Sequence, residues 1–535
     1  MTLDNTNMHT LSWRCASNKE HRLLGYWQIG QIIHGVKLFA QPLQLYHNSG
    51  SNLGFLSTAR TKHEDRLSML TDDILLSILG RVDTATATRT SVLSKRWRDL
   101  PWLLPVLNLR VWNFLPHPCP EPIAAHHMDQ AMSRLTKATR SFLADPNSKS
   151  TIIKRLSLQL YVTGDYTREI GPLARDAIDC GVVKKLCLAI VDEKDPRDCE
   201  HEYMLQQALA VDGFFTAYPS VFQCLTKLRL YNVRFAEWDM QHLLFDSCKQ
   251  LNQLSLSHCD VGDSSVWQIN APDSKLRILE VRMSCLKRIE VLCLPKLKHL
   301  RWDEWFCFEA PLRFGSVPSL KGLGLICGAT IDHQEFSLSQ VLHGTRNIHA
   351  LTLDFEGERL WIQPEGKQLC HAFKQLRKLS ICGIFVDFDL LWTINLLEAA
   401  PSIEIFSVRI WDHACQDDEQ LRTRTGYKAQ RTKPSWSMPK FTSSETWQLR
   451  ELEIVRFRPQ ELQISFLRSV MERASNLKMV LLKEDKEPCD ACDSMNTPRG
   501  GFCPADKGEQ EAIVKQLTDG VGSSARIIFP NSGGS

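Results

Sequence analysis

The chain of 535 residues has almost no excess of charge of either sign: 64 Lys and Arg stand against 61 Asp and Glu, for a net charge of +3. Proteins whose main ligand is nucleic acid carry a basic excess or a strongly basic patch, so the balance argues against that class. Long apolar runs are missing too. No stretch of 18 uncharged apolar residues occurs, and WTINLLEAAPSIEIFSVRIW is broken by Glu398, Pro401 and Glu404, so no membrane-spanning helix is expected. The motifs that announce catalysis are absent: no HExxH, no GxSxG and no glycine-rich loop ending in Gly-Lys-Ser/Thr. Cys489 and Cys492 form one CxxC, with Cys503 beyond it. Zinc takes four ligands, and neither a second CxxC nor a nearby histidine completes the set. His126 and His127 are adjacent and diverge by roughly 100° on a helix, a poor geometry for sharing an ion. No catalytic residue, metal or cofactor is assigned, and a non-catalytic protein is expected.

What is present points to a folded protein. Hydrophobic residues make up 43% and charged residues 23% of the chain, as in soluble globular domains. The length leaves room for two to four average domains or one elongated array. The 18 cysteines are scattered singly through apolar runs, as at Cys187, Cys224, Cys259, Cys285, Cys327 and Cys382. Small buried thiols in a reducing compartment are the expected state. Residues 1–63 hold few acids (Asp4, Glu20), several bases and no long apolar core of a secretory signal; they read as an irregular tail.

The stretch from Asp65 to Leu109 reads as three short helices with more apolar surface than they can bury alone. Leu70, Ile74, Leu75, Ile78 and Leu79 share one helical face. Thr71 is placed to cap that helix, Asp72 and Asp73 suit its positive end, and Gly80 is placed to stop it. Asp83 is the cap candidate of a second helix carrying Ala85, Ala87 and Val92, whose Thr84, Thr86 and Thr88 lower helix propensity. Ser94 caps a third, in which Trp97 lies four residues from Leu93 and three from Leu100, and Pro101 bars continuation. After a Pro-rich loop at 116–122 comes a helical stretch with Met128, Met132, Leu135 and Phe142 on its apolar side.

From residue 151 the period changes. A phrase with apolar residues at positions 1, 4 and 6 recurs twelve times, beginning Ile153–Leu156–Leu158 and Val183–Leu186–Leu188 and ending Leu449–Leu452–Ile454 and Leu477–Val480–Leu482. Its fourth positions at 228, 254, 279, 300, 323, 351, 379 and 406 are spaced by 26, 25, 21, 23, 28, 28 and 27 residues. That is the leucine-rich-repeat period of roughly 20–29 residues. Positions 4 and 6 alternate as on a strand, so Arg229, Ser255, Thr352 and Ser380 between them are expected to face outward. Each unit then returns through a helix or loop, and stacking parallel strands makes a continuous core with a concave strand face.

Together, Leu70-Thr71-Asp72-Asp73-Ile74-Leu75, Ile78-Leu79, Arg89-Thr90-Ser91-Val92-Leu93-Ser94 and Arg96-Trp97-Arg98 closely resemble the F-box of plant F-box proteins. One departure is Thr71, where the family usually has proline, which pre-sets the first helical turn; weaker partner binding is expected, not its loss. With the irregular repeats and WQLRELEIVRF…FLRSVMERASNLKMVLLKE, the whole resembles the plant F-box, leucine-rich-repeat and FBD-like class. The resemblance implies an α+β or α/β repeat protein, a small three-helix F-box followed by an irregular leucine-rich-repeat solenoid. It implies that Leu70, Thr71, Ile74, Leu75, Ile78, Leu79, Val92, Leu93 and Trp97 contact a Skp-type adaptor and, through it, a cullin. The repeats then hold a protein substrate for ubiquitination in the nucleus or cytoplasm, with no nucleic acid or membrane as partner. The alternative is a repeat scaffold that binds or sequesters proteins without recruiting the ligase.

The expected division is an irregular tail at 1–63, the F-box at 64–110, a helical linker at 111–150, repeats at 151–448 with a loop insertion at 412–447, FBD-like terminal repeats at 449–485 and a flexible tail at 486–535. The insertion passes from acidic to basic residues around Tyr427 and Trp436. The acidic, turn-rich segment VDEKDPRDCEHEYMLQQ forms a second interruption of the spacing. Trp302, Trp305, Phe306 and Phe308 cluster at the end of one repeat strand, where core packing is the first reading and target contact the second.

Overall fold

The computed structural model describes residues 69–144, 152–235, 242–259, 266–412, 446–484 and 504–530, apart from 117, 121, 163–164, 196–197, 306, 308, 330–332 and 505. The tail at 1–63, the insertion between 413 and 445, Phe306, Phe308, Cys489, Cys492 and Cys503 lie outside these residues. The described chain falls into two compact units, one ending at Leu186 and the other beginning at Cys187.

The first unit opens with helices α1 (Asp72–Leu79), α2 (Thr84–Arg89) and α3 (Lys95–Asp99). Asp83 caps α2 as its position requires, accepting from the Thr86 N–H at 2.9 Å and the Thr86 hydroxyl at 2.6 Å. The Ser94 oxygen accepts from the Trp97 N–H at 3.4 Å. Thr71 takes the N-cap position of α1, but its side chain makes no capping bond. That part of the expectation is corrected. Gly80 ends α1 in right-handed geometry, φ −67°, so its freedom at positive φ is not used. Two threonines here spend their hydroxyls on the backbone: Thr88 donates to Thr84 O and Thr90, just past α2, to Ala87 O, each at 2.7 Å.

Strand β1 (Val106–Arg110) supplies the cover that the three helices lack. Its Leu107 and Leu109 are buried with Leu75, Leu79, Ala87, Trp97 and Leu100, and the Asn108 N–H donates to the Thr84 hydroxyl at 3.1 Å. The 20-residue α4 (Ala125–Ala144) buries Met132, Leu135 and Phe142 as its pattern predicts. Phe142 meets Trp102 at a ring distance of 4.5 Å. β2 (Arg155–Tyr161) pairs in parallel with β1, and α5 (Tyr166–Asp179) packs on α4, tied by Arg140 to Glu169 at 2.9 Å. The first repeat phrase, expected to open the solenoid at 151, thus clusters with the helical unit.

In the second unit, β3 (Leu186–Val191) is followed by α6 (His201–Ala217), α7 (Pro219–Gln223) and β4 (Leu225–Tyr231). The repeat strands are then β5 (Gln253–Ser257), β7 (Ile278–Arg282), β9 (His299–Asp303), β11 (Gly322–Ile326), β12 (Ala350–Asp354), β13 (Lys378–Phe385), β14 (Ile405–Trp411), β15 (Glu451–Val455) and β16 (Met479–Lys483). Each is parallel to its neighbours, with fourth-position residues in register: Leu228, Leu254, Leu279, Leu300, Leu323, Leu351, Leu379, Phe406, Leu452 and Val480. All ten are buried. Stacking therefore does what no single unit can, burying a continuous apolar ladder.

Arg229, Thr352 and Ser380 are half-buried, more open than the leucines beside them. Ser255 is not: it is 4% exposed, because it stands in register between the longer Arg229 and Glu280. A second correction concerns the returns. Where the spacing contracts, they are the strands β6 (Val266–Asn270), β8 (Arg288–Cys293) and β10 (Leu312–Ser316), a separate parallel sheet in the order β10-β8-β6. An extended return rises more than twice as far per residue as a helix, so it spans the layer within a short repeat. Longer repeats return through α8 (Leu338–Val341), α9 (Cys370–Phe373), α10 (Ile394–Ala399) and α11 (Glu461–Arg473).

The expected flexible tail is also corrected. Residues 507–528 form α12 (Lys507–Thr518), with Ile513 and Leu517 buried, and β17 (Arg526–Ile528), which pairs in parallel with β16. One backbone feature recurs where strands give way to returns. Asn232, His258, Met283, Glu304 and Arg456 all take positive φ, between 42° and 62°, directly after β4, β5, β7, β9 and β15. Each donates its N–H to the next strand or its end, as Met283 does to Asp303 O at 2.8 Å and Glu304 to Ile326 O at 2.7 Å. Those bonds hold a conformation that non-glycine residues disfavour.

Candidate functional site: the exposed apolar residues of the first helices and the outer strand face

The residues expected to meet a partner divide into two sets. Leu75, Leu79 and Trp97 are buried in the unit's own core, from which they support the surface residues. Ile74 and Ile78, one turn apart on α1, are 47% and 40% exposed. Val92 and Leu93, just before α3, are 85% and 64% exposed. Leu70 is half-buried and Thr71 exposed. Met69 and Leu103, which periodicity did not single out, are also exposed large apolar residues. Apolar side chains left together in water mark an interaction surface far more often than a single exposed leucine does.

Arg96, part of the F-box-like string, ties this surface together through bonds that its sequence position did not announce. Its Nε donates to Asp72 Oδ1 at 2.7 Å and its Nη2 to the carbonyl of Leu70. The start of α3, with Val92 and Leu93 just ahead of it, is thereby tied to the start of α1, where Ile74 lies. The partner on Leu70 is a backbone carbonyl, which carries no side-chain signal.

On the outer face of the second unit, Arg282 and Arg301 both grip Asp303, with Nε–Oδ distances of 3.1 and 2.8 Å. Arg301 lies across Gly324 of the next strand: a Cβ built there meets the Arg301 Cγ at 3.5 Å. At the strand ends, burial raises the Glu356 carboxyl well above its ordinary range, reinforced by the negative charge of Glu304 and by a hydrogen bond to that side chain. Asp354 is raised as well, mainly by burial. Burial likewise pushes the thiols of Cys248, Cys307 and Cys382 up to about 12 and that of Cys327 well above its usual value. The shift keeps all four in the neutral thiol form at neutral pH.

Trp302 and Trp305 are core residues, ring centres 6.4 Å apart and continuous with Trp361 and Phe336. The acidic interruption after β3 closes on itself. Asp192 accepts from the Tyr203 hydroxyl at 3.0 Å and the Asn232 side-chain amide at 3.1 Å. The His126 and His127 rings lie 3.8 Å apart, and among the described residues no three His, Cys, Asp or Glu side chains converge as metal ligands do. No described helix is long and apolar enough to cross a membrane.

Comparison with known proteins follows the same division. Residues 67–102 match the F-box domain, and residues 214–507, more than half of the chain, match the leucine-rich-repeat domain of the At1g61320/AtMIF1 type. The Arabidopsis thaliana F-box/FBD/LRR-repeat protein At5g56420 is 22% identical over 430 residues, covering 78% of this chain and 92% of that protein. The putative FBD-associated F-box protein At5g56820 is 25% identical over 51% of this chain and 54% of its own length. The putative F-box/FBD/LRR-repeat protein At3g49030 is 27% identical over 48% and 56%. With an F-box match at its start and a leucine-rich-repeat match over more than half of its length, and relatives that carry both names, the chain belongs to the plant F-box/leucine-rich-repeat (FBD-like) protein family.

Proposed function

We propose that this chain is the substrate-recognition subunit of an SCF-type (Skp–cullin–F-box) ubiquitin ligase and has no catalytic site of its own. The exposed set Ile74, Ile78, Val92 and Leu93 carries the reading. Four large apolar side chains in water on a marginally sized helical module call for a partner, and in F-box proteins that partner is a Skp-type adaptor leading to a cullin. The repeats bind the protein target, and the chemistry is proximity: target lysines are held at high effective concentration near a separate ubiquitin-charged enzyme. Nucleic acid and membrane have no place in this scheme, and the site of action is the nucleus or cytoplasm.

The test is adaptor binding by a Val92→Glu/Leu93→Glu variant, whose altered residues are already solvent-facing. Each anchor at an interface centre contributes about 1–2 kcal/mol, so the pair should weaken adaptor affinity by roughly 30- to 1,000-fold while the melting temperature holds. Unchanged affinity overturns the docking surface. An intact chain that captures a target yet never recovers the adaptor is a scaffold instead.

A further inference from the structure

The last unit of the repeat sheet lies past the end of the matched repeat region at 507 and leaves one edge unpaired. In β17, Arg526 stands opposite Met479 and Ile528 opposite Leu481, and the Arg526 N–H donates to Lys478 O at 2.9 Å. Successive residues of a strand turn their N–H and C=O to opposite sides, so those of Ile527 point away from β16. Among the described residues no strand lies beyond β17. The edge borders an open groove of about 590 Å³ between α12 and β17. Val514, Ile527, Ile528 and Phe529 line it and are only half-buried. Around them stand Lys507, Lys515 and Arg526, all exposed, against the single carboxylate of Glu511. None of these three cations has an ion-pair partner among the described residues.

Solenoid ends are ordinarily closed by a polar outer face, and an open strand edge is a template for another strand. A second copy of this chain fits poorly, because an isologous contact sets the same patch against itself and would oppose like charges. The sign of the rim selects the opposite kind of occupant. We propose that the β17 edge is a docking site for an extended acidic segment of a partner protein. That segment adds as the next strand, lays alternate apolar side chains on Val514, Ile527 and Phe529, and sets its carboxylates beside Lys507, Lys515 and Arg526. Main-chain pairing supplies part of the affinity and the groove the selectivity. With only Ile527 offering its main-chain groups, charge carries much of the binding, which therefore falls with ionic strength. The proposal stands independently of adaptor docking by the first unit.

The experiment is fluorescence anisotropy of the full-length protein with three labelled synthetic peptides: alternating Val and Glu, the same with Lys for Glu, and the acidic one with proline at alternate positions. The acidic peptide should bind at least about tenfold more tightly than the basic one, lose affinity in high salt, and lose binding in the proline form, which cannot pair as a strand. Lys507→Glu/Lys515→Glu/Arg526→Glu should reverse the preference between acidic and basic peptides. Arg526→Glu alone, a single exposed change, should narrow it if the triple variant does not fold. Equal binding of acidic and basic peptides, no binding, or an unchanged preference in the variants overturns the proposal. Concentration-dependent self-association in sedimentation, abolished by Ile527→Lys, assigns the edge to a second copy and overturns it too.

Discussion

At the scale of single residues, two positions carry testable energetics. Thr71 precedes α1 with φ −68° and ψ 157° and makes no side-chain cap, a backbone that proline adopts without strain. Thr71→Pro should therefore stabilise the first unit by roughly 0.4–1 kcal/mol, chiefly by restricting the unfolded chain. Urea unfolding checks this, and a clear loss of stability would show that Leu70 or the Thr71 N–H is needed in its present state. Glu356 contributes to the pH dependence. Its carboxyl titrates higher in the folded protein than in the unfolded chain, through burial and the adjacent Glu304 charge. The native state then holds the extra proton between the two values, and stability falls as pH rises through that window. Glu356→Gln should remove this slope, so that its gain in melting temperature over the unaltered protein is larger at neutral than at mildly acidic pH. Parallel melting curves for both proteins across pH would refute the assignment.

At the scale of elements, buried and exposed members of one helical face predict different phenotypes. Leu75 and Trp97 lie in the core of the first unit, so Leu75→Ala should cost about 2–5 kcal/mol and Trp97→Ala about 3–5 kcal/mol of stability. Loss of adaptor binding in either variant reports unfolding, not a lost contact; circular dichroism alongside the binding assay separates them. The terminal element gives a second case. Leu517 of α12 is fully buried, and Arg468 of α11 donates to Asp519 O at 2.8 Å. Leu517→Ala should raise hydrogen exchange in α12 and β17 while leaving β11 to β13 protected, since repeat contacts run mainly between neighbours. Uniform deprotection of the sheet would show that the last unit supports the whole array.

For the molecule as a whole, the prediction concerns separability. The described chain clusters into two compact units, the first ending at Leu186, so deletion of residues 65–186 should abolish adaptor binding and leave target capture by the later repeats intact. Target protein should then accumulate in cells expressing the truncated chain, bound but unmodified. An unchanged target level and unchanged ubiquitination in those cells would favour the scaffold.

Much of this protein was legible from spacing alone. Twelve apolar phrases fell on twelve strands or their leading residues, because positions 4 and 6 of each phrase must share one side of a strand and only stacking can bury them. Asp83 and Ser94 were readable as caps because capping is a bond across three residues of sequence. What the tertiary structure alone decided depends on neighbours far away in the chain. Leu75 is buried while Ile74 is open, because β1 and the turn after α3 cover only part of the apolar face. Ser255 is shielded by Arg229 and Glu280 from adjoining repeats. The returns at 266–316 became strands, because repeat length limits the geometry and propensity does not. The segment from 507 to 528 joined the sheet because β16 offered an edge, a partner that local sequence cannot announce.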